Sequence, residues 1–135
     1  VSADAFLFLD GPNRYVTFGY LVAGEDAAND DFDYDGHRLK LQYTQHVEWM
    51  SVDFELKSRL QVERRDYQQV LEAEFLQPNS ARRSDDRFCT GLELGLPVSD
   101  WFAVESGIEY TSNVSNLEAA DFDELTYSVR LAAAF

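Results

Sequence analysis

The sequence predicts an all-β chain, an antiparallel up-and-down meander of the kind that closes into a transmembrane β-barrel. Three observations carry that prediction. Apolar and polar residues alternate with period two along most of the chain. Tight and long connections follow one another in strict alternation, and aromatic residues gather at strand ends. No i, i+3, i+4 stripe of comparable length competes.

Seven strands follow, at about 3–10, 14–24, 34–46, 50–66, 84–97, 101–113 and 122–135. The first two, A-F-L-F-L-D and R-Y-V-T-F-G-Y-L-V, flank the turn D-G-P-N from Asp10 to Asn13. Their alternation is less clean, so which way each side faces stays open. In the third strand Leu39, Leu41 and Tyr43 alternate with Arg38, Lys40, Gln42 and Thr44. In the fourth, Met50, Val52, Phe54, Leu56, Leu60 and Val62 oppose Asp53, Glu55, Lys57, Arg59, Gln61 and Glu63. The fifth sets Phe88, Leu92, Leu94 and Leu96 against Cys89, Gly91, Glu93 and Gly95. The sixth sets Phe102, Val104, Ile108 and Tyr110 against Ala103, Glu105, Gly107 and Glu109. The last, T-Y-S-V-R-L-A-A-A-F, carries Tyr127, Val129, Leu131, Ala133 and Phe135 on one face and Thr126, Ser128 and Arg130 on the other.

The tight connections are D-G-P-N, a turn around Val47–Glu48, and P-V-S-D at 97–100; the long ones span 25–33, 68–83 and 114–121. A meander then places all tight turns at one end and all long loops at the other. Outer-membrane barrels have this asymmetry, with short periplasmic turns and longer external loops. Trp49, Trp101 and Phe135 fall at the tight-turn end and are expected to form an aromatic girdle at headgroup depth. Tyr67, Tyr110 and Phe122 are the expected second belt.

Composition narrows the function classes. With 45% hydrophobic residues in 135, the chain is not disordered. A net charge of −14 argues against nucleic acid as a partner, because phosphates demand a basic face. No run approaches the roughly 18–20 apolar residues of a transmembrane helix, so a membrane reading must be a β reading. The chain opens at Val1 without a Met, as expected of a processed product. Cys89 is the one cysteine, so no internal disulfide forms; it reads as a packed or lumenal thiol.

Alternation alone does not say which face is inside. The polar face mixes signs, with Arg38, Lys40, Glu55, Lys57, Arg59, Glu93, Glu105, Glu109 and Arg130, and carries the small residues Gly91, Gly95, Ala103, Gly107, Ala132 and Ala134. Small residues suit a crowded interior, and opposite charges can pair across strands there. These residues are therefore expected to line a lumen, with the apolar face toward lipid. The expected localisation is the outer membrane of a Gram-negative bacterium, with membrane lipid and lipopolysaccharide as partners. The alternatives are a small closed outer-membrane barrel with acidic external loops for adhesion or lipopolysaccharide contact, and a soluble lipocalin-like ligand-binding barrel with the faces reversed.

The final strand, with Tyr127, Val129, Leu131 and Phe135, is similar to the terminal signal of Gram-negative outer-membrane barrels. That resemblance implies recognition by the barrel assembly machinery. The stretches R-R-D-Y, R-R-S-D-D-R, Y-T-S-N-V-S-N and D-F-D-E-L-T-Y-S-V-R-L further resemble the barrel of surface lipoprotein assembly modifier-like proteins, over roughly 34–135. It implies a role in export, and tetratricopeptide repeats or other protein chains beside the barrel; no repeat helices occur in this sequence. Bacterial single-chain barrels have an even number of strands. Seven visible strands thus point to the C-terminal part of a larger barrel, or to a further strand within 68–83.

Little points to catalysis, and the expectation is a pore, export barrel or anchor that is not an enzyme. D-F-D-Y-D-G, from Asp31 to Gly36, matches the first half of a calcium loop, but its twelfth position is Gln42 and a strand follows. A solvated acidic loop is expected there, with Asp31, Asp33 and Asp35 as the alternative hard-oxygen site for Ca²⁺ or Mg²⁺; no other metal or cofactor is expected. His37 and His46 fall on opposite faces of one strand and cannot share a metal. Glu105 and Glu109 share a face, but four residues separate them by roughly 13 Å, too far for a paired-carboxylate hydrolase. N-V-S at 113–115 is a sequon by pattern alone.

Overall fold

The computed structural model describes residues 1–25, 33–49, 52–67 and 82–133. They form one antiparallel sheet in which every strand pairs with its sequence neighbour, in the order β1 to β7. The strands are β1 Ser2–Phe8, β2 Arg14–Glu25, β3 Tyr34–Trp49, β4 Val52–Tyr67, β5 Ser84–Ser99, β6 Phe102–Ser115 and β7 Phe122–Ala133. The predicted meander is therefore present. Each strand's alternation keeps one face apolar, and a one-residue slip would reverse every side chain, so the register is strongly specified.

Connections depart from expectation at two tight turns. Val47 and Glu48 do not turn; they pair with Phe54 and Asp53, because the alternation of His46, Val47 and Glu48 continues the strand. Trp49 consequently ends β3 and does not open β4. Its side chain lies outside the described residues. At P-V-S-D the ladder runs on to Ser99 with a register shift between Pro97 and Ser99, where proline cannot donate a ladder hydrogen bond. Trp101 therefore sits in the turn, its ring 5.8 Å from Phe102, and β6 begins one residue later. The D-G-P-N turn is as expected: Gly11 takes φ +54°, and Leu9 N–H donates to the Arg14 carbonyl at 2.8 Å. A single 3-10 turn, Glu118–Ala120, occupies the connection before β7. A further strand within 68–83 would fall largely outside the described residues, as do Phe135 and Asp31.

The sheet does not close. β1 and β7 are its two edges. Strand direction explains this: in a meander the first and seventh strands run parallel, so they cannot complete an antiparallel ring. All of β1 and β7 is exposed on both faces, as expected of edges without neighbours.

Burial is inverted relative to a soluble domain. A single-layer sheet has no second layer, so one face can be buried only by curling around it. The buried face is the polar one. Thr44 is 0% exposed, Asp85 3% and Glu63 6%, with Thr111, Asn113, Cys89 and Tyr67 also buried. All seven stand on the same face by register. The opposite, convex face exposes Phe18, Leu39, Leu60, Phe88, Leu92 and Ile108, and in β7 Tyr127 and Val129 at 72% and 74%.

Register also settles the first two strands. Val16, Phe18, Tyr20 and Val22 join the convex face, and Tyr15, Thr17, Gly19 and Leu21 the concave one. β1 carries Ser2 and Asp4 beside Phe6 and Phe8 on its concave side, a mixture of polar and aromatic residues, which is why its alternation was illegible. Leu7 is convex, whereas Phe6 and Phe8 are concave, with ring centroids 6.5 Å apart and Phe8 at 5.9 Å from Tyr15.

The concave polar wall and the convex apolar band

All nine residues expected to line a lumen share the concave face, because directly opposed strand residues point the same way. The structure sorts them into pairs. Glu55 lies between Lys57 and His46, the latter at 3.4 Å, and Lys57 also reaches Glu93 at 3.5 Å. Arg130 meets Glu105 at 2.9 Å. Arg59 pairs with Glu109 although β5 lies between their strands. Gly91 permits that reach: it is the residue of β5 between them, and a Cβ there would lie 3.1 Å from the Ile108 carbonyl oxygen. Gly91→Val is expected to destabilise the fold by about 1–3 kcal/mol through overpacking. It should also uncouple Arg59 from Glu109, so that a double-mutant cycle on the pair in the Gly91→Val background gives no coupling energy. Retention of the coupling would show that the small residue is not what admits the pair.

Lys40 has no ion pair among the described residues; it stands opposite Gly19 and Gln61. Arg38 belongs to a group at the long-loop end of the wall whose pairing within the sheet the sequence does not show. Arg38 Nη2 and Arg65 Nε both donate to Glu63 Oε1, at 3.0 and 2.9 Å. Arg83 Nε donates to Asp85 Oδ1 at 2.9 Å, and its Nη2 to the other carboxylate oxygen. That hydrogen bonding holds the Arg83 guanidinium above its already high ordinary pKa, so it stays charged. The guanidiniums also stack on rings: Arg65 over Tyr34 at 5.1 Å, Arg83 over Tyr67 at 4.3 Å and Arg87 over Phe122 at 5.9 Å. In R-R-D-Y only alternate residues face inward. Arg65 is concave, while Arg64 is convex and meets Asp66 at 3.3 Å.

Two expected belt members are thereby corrected. Tyr67 and Phe122 face the concave side, since each shares the parity of that face in its own strand. The convex rings at this end are Tyr20 and Phe88, on one rung, and Tyr110. Tyr110 donates to Asp123 at 2.9 Å, and the Tyr20 hydroxyl lies 2.8 Å from His37 Nδ1. Apolar ring body on one side and a satisfied polar tip toward the strand end is the arrangement an interface between oil and water favours.

The convex face between the belt and the tight turns holds no charged residue on the described parts of β3 to β7. Its residues run Leu39 to Val47, Val52 to Val62, Phe88 to Leu96, Phe102 to Tyr110 and Leu125 to Ala133, every second position. Charges appear just beyond, with Arg64, Asp66, Asp86 and Asp123. From Val52 to Val62 the band spans about 33 Å along the strand at ~3.3 Å per residue. With a barrel tilt of about 40° that is roughly 25 Å of height, the apolar thickness of outer-membrane barrels.

The histidines lie on opposite faces as expected, His37 convex with Tyr20 and His46 concave with Glu55. Glu105 and Glu109 share the concave face but serve different arginines. Asn113 is buried and its amide donates to the Ala120 carbonyl at 2.8 Å, so the sequon there is a structural position. Asp33 precedes β3, and Asp35 lies within it opposite Asp66. Among the described residues no three His, Cys, Asp or Glu side chains are grouped to hold a metal. No helix among them is long and apolar enough to cross a membrane, which says nothing about strands. Comparison with protein-family models, with curated proteins and with solved structures gave no match.

Proposed function

We propose that this chain forms the wall of an outer-membrane β-barrel, a non-enzymatic pore, export barrel or anchor with its convex face in lipid. The observation that carries the reading is the inversion of the two faces, with an uncharged convex band about as tall as a bilayer's apolar layer. In water that face would leave Leu39, Leu92, Val129 and many like them solvated, a patch far larger than soluble monomers tolerate. A soluble ligand-binding barrel needs the reverse arrangement, so the faces argue against it.

Closure follows from strand direction. An odd number of added strands, whatever their origin, makes the total even and lets β1 and β7 each gain an antiparallel neighbour. Tyr127, Val129 and Leu131 share the convex face of β7, and the reading of that strand as an assembly signal rests on its resemblance to the terminal strand of outer-membrane barrels. The export role rests on the resemblance of the barrel segment to surface lipoprotein assembly modifier-like proteins.

Folded protein should require detergent or lipid, and should migrate on a gel at a different position before and after boiling. A soluble monomer without detergent would overturn the proposal. Deletion of Phe135 is expected to lower the amount inserted in membranes while leaving the properties of the inserted fraction unchanged. Normal insertion of that variant would remove the terminal residue from the assembly signal.

A further inference from the structure

At the long-loop end of the concave wall the charges do not balance. Arg38, Arg65, Arg83 and Arg87 converge there, whereas the described acidic side chains among them are only Glu63 and Asp85. Glu63 accepts from Arg38 and Arg65, and Asp85 holds Arg83. Arg87 stands directly opposite Glu63 in register but makes no ion pair among the described residues, and its Nε is buried without a hydrogen bond. A guanidinium left in this condition is costly unless something supplies an acceptor.

Arg65, Arg83 and Arg87, but not Arg38, border a cleft of about 380 Å³, whose wall also includes Tyr67, Asp85, Asn113 and Phe122. Arg65 bonds Glu63 through its Nε and also interacts with Tyr67, and among the described residues Arg87 makes no hydrogen bond, so planar N–H groups remain for a ligand. The rings beneath Arg65, Arg83 and Arg87 fix the guanidinium planes and reduce the entropy lost on binding. Asn113 does not compete for the ligand, because its amide is held by Ala120.

We propose that this cleft binds a small oxyanion, a phosphate or carboxylate group, between the Arg87 and Arg65 guanidiniums. Their fork geometry matches both groups, and a single bound anion gives the Arg87 guanidinium the counter-charge it lacks among the described residues. The arrangement belongs to the concave face and does not depend on what covers the convex one.

The test follows the arginine Nε–H resonances of folded, ¹⁵N-labelled protein in detergent micelles during titration with inorganic phosphate, acetate or chloride at matched ionic strength. Saturable shifts of the Arg87 and Arg65 signals are expected with phosphate or acetate and not with chloride. Tighter phosphate binding assigns a phosphoryl ligand, and tighter acetate binding a carboxylate. Arg87→Gln should weaken the response of Arg65 by roughly tenfold or more, the loss of charge-assisted hydrogen bonds. Arg87→Lys, which keeps the charge and the fold but not the fork, should weaken it less. Arg59→Gln, at the middle of the wall, should leave it unchanged. Equal, non-saturating shifts with all three anions, or a saturable response indifferent to both Arg87 variants, would overturn the proposal.

Discussion

Leu92→Arg is expected to lower the free energy of unfolding from phospholipid bilayers by about 2–4 kcal/mol, the cost of a basic side chain at mid-depth on a lipid-facing strand. Leu92 lies at the middle of the convex band, between Ser58 and Ile108 on the neighbouring strands, and is 52% exposed. The matching change on the concave face, Thr126→Arg beside Glu109, should stay within about 0.5 kcal/mol. Denaturant titration of the two variants in the same bilayers provides the comparison. If the convex face met water, Leu92→Arg would be neutral or would improve solubility, and the order of the two variants would reverse.

Glu63→Ala should be the most damaging single change on the polar wall, at about 2–4 kcal/mol. Glu63 is 6% exposed and is the shared acceptor of two guanidiniums, so its removal leaves both half-buried without a counter-charge. Arg130→Ala breaks a pair of similar geometry at the open edge, where the arginine side chain is 74% exposed, and should cost under about 1 kcal/mol. Glu63→Gln, which keeps the shared acceptor oxygen but not the counter-charge, should fall between. Equal losses for Glu63→Ala and Arg130→Ala would mean that the wall is solvated throughout and that burial does not rank its ion pairs.

Much of this fold was legible because strand periodicity is local. Two neighbours in sequence reveal opposite faces, and the apolar sets of β3 to β7 could be read before any pairing was known. The nine charged residues assigned to one side do share it, because antiparallel pairing preserves face across each rung. The partners of those charges were not legible. Arg59 reaches Glu109 past Gly91 of the intervening strand, a juxtaposition that depends on register. The cluster around Glu63 and Asp85 was missed for a simpler reason. R-R-D-Y and R-R-S-D-D-R look like undivided charge runs, although period two splits each between the faces. The same parity, carried on from Glu63 and Arg65, would have placed Tyr67 inside and kept it out of the outer belt. β1 offered no clean pattern to read, since its concave face mixes Ser2 and Asp4 with Phe6 and Phe8.

The orientation of the sheet is tested most directly along β7, whose edge position leaves both faces accessible to a probe. Single spin labels at residues 125 to 131, in a Cys89→Ser background, report the accessibility of each side chain to oxygen in lipid and to a water-soluble nickel complex. In bilayers the odd positions, Leu125 to Leu131, should be oxygen-rich and nickel-poor, and the even positions Thr126, Ser128 and Arg130 the opposite. Alternation in the reverse phase, or its absence, would contradict a convex face in contact with lipid.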